Sequence, residues 1–166
     1  MRDRTIHVRL AQPRDADSIV ALMQEVQAVH VAGRPDLFKP GGTENAAETS
    51  ARMQLPDNFM WVATLGLGVV GYAYGRLSDD PENRWRFAAR TFTLDQMGVK
   101  QELRGHGIGR ALWTAVLDTA KSERADRVVL NVWSFNPGAR EFYHRLGFTP
   151  FHERMAVELT RAPDDR

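Results

Sequence analysis

The chain contains no cysteine. That excludes disulfides and thiolate metal ligands, and it suits a reducing compartment, so a cytoplasmic location is expected. An excess of charge of one sign is missing too: 22 Lys and Arg against 21 Asp and Glu leave a formal net charge of +1. Without a strong field, neither nucleic acid nor anionic lipid is expected as a main partner. The one long uncharged stretch, Phe59 to Gly75, falls short of the ~20 residues a spanning helix needs. Four glycines interrupt it, and its two arms, rich in aromatic and β-branched residues, read better as strands joined at Leu65-Gly66-Leu67-Gly68. The N-terminus, MRDRTIHVRL, carries charges where an export signal needs an apolar core. His7, His106, His144 and His152 lack the spacing of metal ligands, and no metal is expected.

At 166 residues the chain suits one well-packed domain. An opening strand is expected at residues 6–10, then a helix entered through Pro13-Arg14-Asp15-Ala16-Asp17, with Ile19, Leu22, Met23, Val26 and Val29 at helical spacing. A loop from Gly33 to Gly42 should lead to a second helix starting at Thr43, with Glu44 and Glu48 on one face. The hairpin over residues 58–78 and a polar loop, Asp79 to Ala89, follow, then a strand at residues 90–99. A last strand is expected at residues 154–159. The domain should therefore cover residues 1–159, with a disordered tail over 160–166. Strands mixed with helices point to a single α/β or α+β domain.

Leu103 to Val116, LRGHGIGRALWTAV, is the most informative segment. Gly105, Gly107 and Gly109 alternate where an extended run becomes an amphipathic helix. Glycine allows a sharp bend and a close approach, and the first turn of a helix offers N–H donors with no internal partner, so the pattern suits a phosphate. Two rivals fail on spelling. A nucleotide-triphosphate loop needs Gly-Lys-Ser/Thr, but Arg110 follows Gly109; a dinucleotide fingerprint needs a third glycine where Leu112 stands.

Arg104, Gly107 and Gly109 spell R-x-x-G-x-G, which resembles the acyl-CoA pyrophosphate loop of the GNAT family of N-acetyltransferases. Downstream, VVLNVWSFNPGAREFYHRLGF, Val128 to Phe148, is similar to the family's second signature, with Asn136, Tyr143 and Gly147-Phe148 in place. The resemblance implies one GNAT-like domain, a mixed and mostly antiparallel sheet with helices on both faces. It also implies acetyl-CoA as cofactor and an amine, of a small molecule or of a protein, as acceptor. Contacts to the cofactor would come from Met97, Gly98 and Val99 and from the loop Arg104, Gly105, His106, Gly107, Ile108, Gly109 and Arg110, with Asn136 and Tyr143 beside them. A splay in the sheet would free the amide of Val99 for the oxyanion. Tyr143 would be the general acid for the departing thiolate; with a thiol near ~8.5 and a phenol near ~10, it could donate without a heavily shifted pKa.

A general base is less determined. Period-two alternation sets Asp95 on the pleat face of Met97 and Val99, where it could take a proton directly or through water; a half-buried strand carboxylate bonded to a neighbour is the equal alternative. His30, Asp36 and Phe38, in the segment after the first helix, are candidates for an acceptor pocket, as is Trp133. Two other classes stay open: a non-catalytic acyl-CoA-binding module, and a nucleic-acid-directed enzyme, for which Arg84, Arg86 and Arg90 are the local hint. Dimers are common in the family, so a homodimer is a further implied partner.

Overall fold

The computed structural model describes residues 5–159. They divide into two compact units, Met1–Asn131 and Val132–Arg166. The first unit carries a five-stranded sheet in the order β1-β2-β3-β4-β5, made of β1 (Ile6–Leu10), β2 (Asn58–Leu65), β3 (Gly68–Asp80), β4 (Ala89–Val99) and β5 (Arg127–Leu130). The first four strands run antiparallel to their neighbours, and β5 lies parallel to β4. A parallel pair needs a crossover, and α3 (Ile108–Ser122) supplies it. The mixed sheet expected from the resemblance is therefore present.

Helices α1 (Ala16–Gly33) and α2 (Ala46–Met53) precede the hairpin. Opposite faces of the sheet are identified at two neighbouring positions. A Cβ placed on Gly98 would meet Val26 of α1 at 2.9 Å, whereas one on Gly71 would meet Ile108 and Leu112 of α3 at 3.1 and 3.2 Å. Since Tyr72 pairs with Gly98 and Gly71 with Val99, alternation turns these two contacts to different faces. On the α1 side, Ile19, Leu22, Met23, Met60, Val62, Tyr72 and Tyr74 form one buried cluster. On the α3 side, Ile108, Leu112 and Val116 are buried to 1% exposure or less.

Several boundaries differ from expectation. The second helix begins at Ala46 because Asn45 caps it: Asn45 Oδ1 accepts from Glu48 N–H at 3.0 Å and Glu48 Oε2 accepts from Asn45 N–H at 2.8 Å, a reciprocal box. Glu44 thus precedes the helix and pairs with Arg52. The first helix runs on through Gly33, and the polar loop shrinks to residues 81–88. The last expected strand does not form: residues 149–159 carry neither helix nor strand, since period-two spacing makes a strand only where a neighbour supplies a ladder. The tail expected from Thr160 lies outside the described residues. In the second unit α4 (Pro137–Arg145) is the one helix among the described residues.

Candidate active site

The centre of the first unit's site is β4. Tyr74 pairs with Gln96 and Gly75 with Leu94, so Asp95 is an extra residue in the ladder, a β-bulge. Tyr72, Tyr74 and Arg76 share one face of β3 by alternation. Both bulge residues reach that row: Gln96 Oε1 accepts from Tyr72 Oη at 3.1 Å, and Asp95 Oδ2 from Arg76 Nε at 3.0 Å. Met97 and Val99 pair with Ala73 and Gly71 on the α3 side. The alternation expected to carry Asp95 to the face of Met97 and Val99 is therefore broken by the bulge, and Asp95 lies on the α1 face.

Beyond the bulge the sheet opens. β5 reaches only to Leu130, opposite Leu94, so Asp95 to Val99 pair with β3 alone. Lys100 N–H donates to Val70 O at 2.9 Å. Hydrogen-bonded pairs alternate along an antiparallel ladder, so Gln96 and Gly98 turn their backbone groups to β3. Met97 and Val99 turn theirs to the opened edge. The carbonyl of Val99, which shares its edge with its own amide, accepts from Arg104 Nε at 3.2 Å.

Arg104 opens the glycine loop. Gly105 and Gly107 stand at φ +82° and +85°, with nothing within 4 Å of a Cβ on either, so the loop needs glycine for its backbone and leaves space in front of it. Gly107 is also the N-cap of α3, and no side chain caps that end. First-turn donors and the positive end of the helix dipole lie at that end, and the exposed Arg104 stands at the start of the loop that leads into it. That donor set fits a diphosphate. His106 Nδ1 lies 3.2 Å from Leu103 O and 3.0 Å from Arg104 O, which requires the proton on Nδ1. Ile108 is buried under the loop, whereas Gly109 is half-buried and Arg110 exposed.

In the second unit, Asn136 is the N-cap of α4: its Oδ1 accepts from Ala139 N–H at 3.1 Å, and Pro137 takes the first helical position. The other end closes with Gly147 at φ +95°. Gly147 N–H donates to His144 O at 3.0 Å and Phe148 N–H to Tyr143 O at 3.1 Å, a Schellman closure, and the rings of Tyr143 and Phe148 meet edge to face at 5.6 Å. Burial pushes the Tyr143 hydroxyl up to about 12. This overturns the expectation of an acid without a heavily shifted pKa, because removing the phenolate from water disfavours the charged form. Trp133 stacks on Phe135 at 5.6 Å.

The acceptor candidates fall in two groups. His30, in the last turn of α1, stacks on Phe38 with centroids 4.9 Å apart, and burial lowers its pKa. Asp36 is exposed and already held by Arg34, through Nε at 2.7 Å and Nη2 at 2.6 Å; that guanidinium keeps its carboxyl below the usual carboxylate range. Its charge is compensated, which leaves less for an incoming ammonium. Arg90, a hint of nucleic-acid contact in the sequence, is bound up structurally: it donates to Asp79 Oδ2 at 2.7 Å and to Glu123 O at 2.7 Å. Sequence reasoning missed Arg76, Gln96 and Tyr72. Only the strand register joins them, and no local pattern announces a register. Among the described residues no group of three or more His, Asp or Glu could hold a metal, and no helix is long and apolar enough to cross a membrane.

Comparison with known proteins agrees with this geometry. A family model described as "Acetyltransferase (GNAT) family" matches residues 26–148. N-acetyltransferase 8 of Mus musculus is 30% identical over 118 residues, 71% of this chain and 50% of that protein. N-acetylaspartate synthetase of Rattus norvegicus is 32% identical over 96 residues, 58% of this chain and 29% of that one. The chain thus spans half or less of the length of these relatives. Among solved structures, a tetramutant of the BH1408 protein of Bacillus halodurans superposes with a TM-score of 0.88 at 27% identity, covering 92% of this chain and 99% of that one. The aminoglycoside N-acetyltransferase AAC(6')-Iy in complex with CoA shares the fold, with a TM-score of 0.71 at 16% identity over 95% of this chain and 96% of that one. With the opened β4 edge, the uncapped helix behind its glycine loop and the family match over most of its length, the chain belongs to the GNAT family of acetyltransferases.

Proposed function

We propose that the protein is an acetyl-CoA-dependent N-acetyltransferase that acts on a primary amine of a small molecule or of a protein, by direct attack through a tetrahedral intermediate. One observation carries the reading: the free edge of β4 at Met97 and Val99 continues, through the Arg104 contact, into the uncapped N-terminus of α3. Acetyl-CoA supplies the activated acyl group. Arg104 and the amides of Gly105 to Arg110 hold the diphosphate, and the amides on the opened edge align the pantetheine arm and face the charge that develops on the carbonyl oxygen. Tyr143 keeps its proton at working pH and offers it to the sulfur. Asn136 fixes the start of the helix that carries Tyr143. Asp95 receives the proton of the acceptor, directly or through water. The cysteine-free composition fits a cytoplasmic enzyme.

The test is acetyl-CoA-dependent release of CoA with a panel of amines, run beside a thermal shift for the native chain and Gly107→Trp. A Cβ at Gly107 enters open space, but its φ of +85° strains any side chain, so the variant's own melting temperature without ligand reports that strain and the ligand-induced shift reports the block. The expected result is turnover, with a shift of several degrees in the native chain and none in the variant; a ligand at ~100 times its Kd adds roughly 2.7 kcal/mol. A native shift with no turnover on any amine would favour a non-catalytic acyl-CoA-binding module. No shift at saturating ligand would remove the cradle.

A further inference from the structure

Arg76 and Asp95 form a charge pair in an unusual place. Asp95 is the bulged residue of β4, two positions before the opened edge begins at Met97, and a strand advances ~3.3 Å per residue. Arg76, which pairs with Thr93 in the ladder, reaches Asp95 through its side chain; that side chain is 60% exposed and the side chain of Asp95 24%. Arg76 uses Nε alone on Asp95, and among the described residues neither Nη1 nor Nη2 makes a hydrogen bond. Two arginines in other carboxylate pairs close on their partners with more of the guanidinium. Arg9 turns both terminal nitrogens on Asp15 at 2.7 and 2.8 Å, and Arg90 spreads all three nitrogens over Asp79 and Glu123. A half-used guanidinium beside a carboxylate, both accessible and both on the α1 face at the bulge, is a binding site for a molecule that carries the opposite charges side by side.

From this geometry we infer that Arg76 and Asp95 clasp the zwitterionic head of an α-amino acid, or of a close derivative with its α-amine and α-carboxylate free, as the acetyl acceptor. The inference rests on the acetyltransferase reading of the same site and names its substrate class. The outer fork of Arg76 suits a carboxylate bidentately, while Asp95 takes the ammonium on the neighbouring carbon. The two contacts orient the amine, and Asp95 is placed to accept its first proton. The neutral nitrogen then forms the C–N bond to the acyl carbon, the carbonyl electron pair moving onto oxygen, and collapse of that tetrahedral intermediate breaks the C–S bond. The second proton ends on the sulfur and the first passes to solvent, so that ammonium and thioester give amide, thiol and one proton.

Three matched pairs of acceptors test the clasp: leucine with isopentylamine, phenylalanine with phenethylamine, and lysine with cadaverine. Each pair differs by the α-carboxylate. For the native chain, the amino acid should exceed its decarboxylated partner at least tenfold in kcat/KM. In Arg76→Gln that ratio should collapse at least tenfold, mainly through KM of the amino acid. Arg76→Lys should fall between, because a lone ammonium cannot fork. The acetyl-CoA-induced thermal shift of each variant reports that the fold and cradle are intact. Equal use of both members of each pair by the native chain, or a loss in Arg76→Gln that leaves the ratio unchanged, would overturn the clasp. If no amine at all is acetylated, the enzymatic reading fails by itself. Calorimetric titration of the CoA-loaded protein with the same pairs then decides the clasp: amino-acid binding weakened tenfold in Arg76→Gln upholds it, and no preference for the amino acid ends it.

Discussion

The guanidinium of Arg104 donates through Nε to the carbonyl of Val99 at 3.2 Å, tying the start of the glycine loop to the end of β4. The bond restrains the side chain through Nε alone, and among the described residues its terminal nitrogens make no hydrogen bond. Arg104→Gln should therefore weaken acetyl-CoA binding about tenfold or more, since a charge-assisted hydrogen bond is worth roughly 1.5–3 kcal/mol. The affinity that remains should depend less on salt. Calorimetry at two ionic strengths checks both effects, and an unchanged Kd would take Arg104 out of the binding site.

Tyr143 should stay a phenol far into alkaline pH, because burial pushes it up to about 12. Absorbance titration of the native chain against Tyr143→Phe should show that the missing group ionises near that value. Turnover should drop by ~10²-fold in the variant while acetyl-CoA affinity is kept. An unchanged kcat would assign the ring to packing against Phe148.

Two groups give stability different pH windows. His30 has a pKa lowered by burial, so the unfolded chain binds the proton first, and stability that is full above about 6.5 declines as pH falls through the lowered folded value. Asp15 is lowered chiefly by its hydrogen bonds from Arg9; its contribution is present above about 3.9 and is lost as pH falls further. Melting temperature followed against pH should thus fall in two steps. His30→Gln should flatten the upper one and leave the lower, and a His30 variant with the native slope would contradict the burial.

Gly147 closes α4 at φ +95°, a conformation that costs a residue with a Cβ. Gly147→Ala should destabilise by about 1–2 kcal/mol without steric conflict, as nothing lies within 4 Å of the added carbon. Chemical denaturation measures this. A loss below about 0.5 kcal/mol would mean that the closure relaxes freely.

The parts legible in the sequence depend on neighbours along the chain. A strand feeding alternating glycines and then an apolar helical face spells the loop at Arg104 to Gly109, because the φ values at Gly105 and Gly107 and the missing cap are local matters. Asn136 followed by Pro137 likewise spells a helix entrance, and Gly147 its exit. Asn45 and Glu48 carried the same kind of signal for α2, and Thr43 hid it as an equally plausible start. The strand expected at residues 154–159 had the right spacing and lacked a ladder.

By itself, then, the sequence determined the order of elements from β1 to α4, the glycine loop and both ends of α4, each of which is set by backbone preferences and hydrogen bonds within a few residues. Tertiary structure alone decided that Asp95 is bulged onto the face of Arg76, that β5 stops at Leu130 and opens the edge of β4, and that Asp36 and Arg90 are already paired. Register between strands and burial in water's absence arise from segments far apart in the chain, and a one-residue shift in register moves a side chain to the other face.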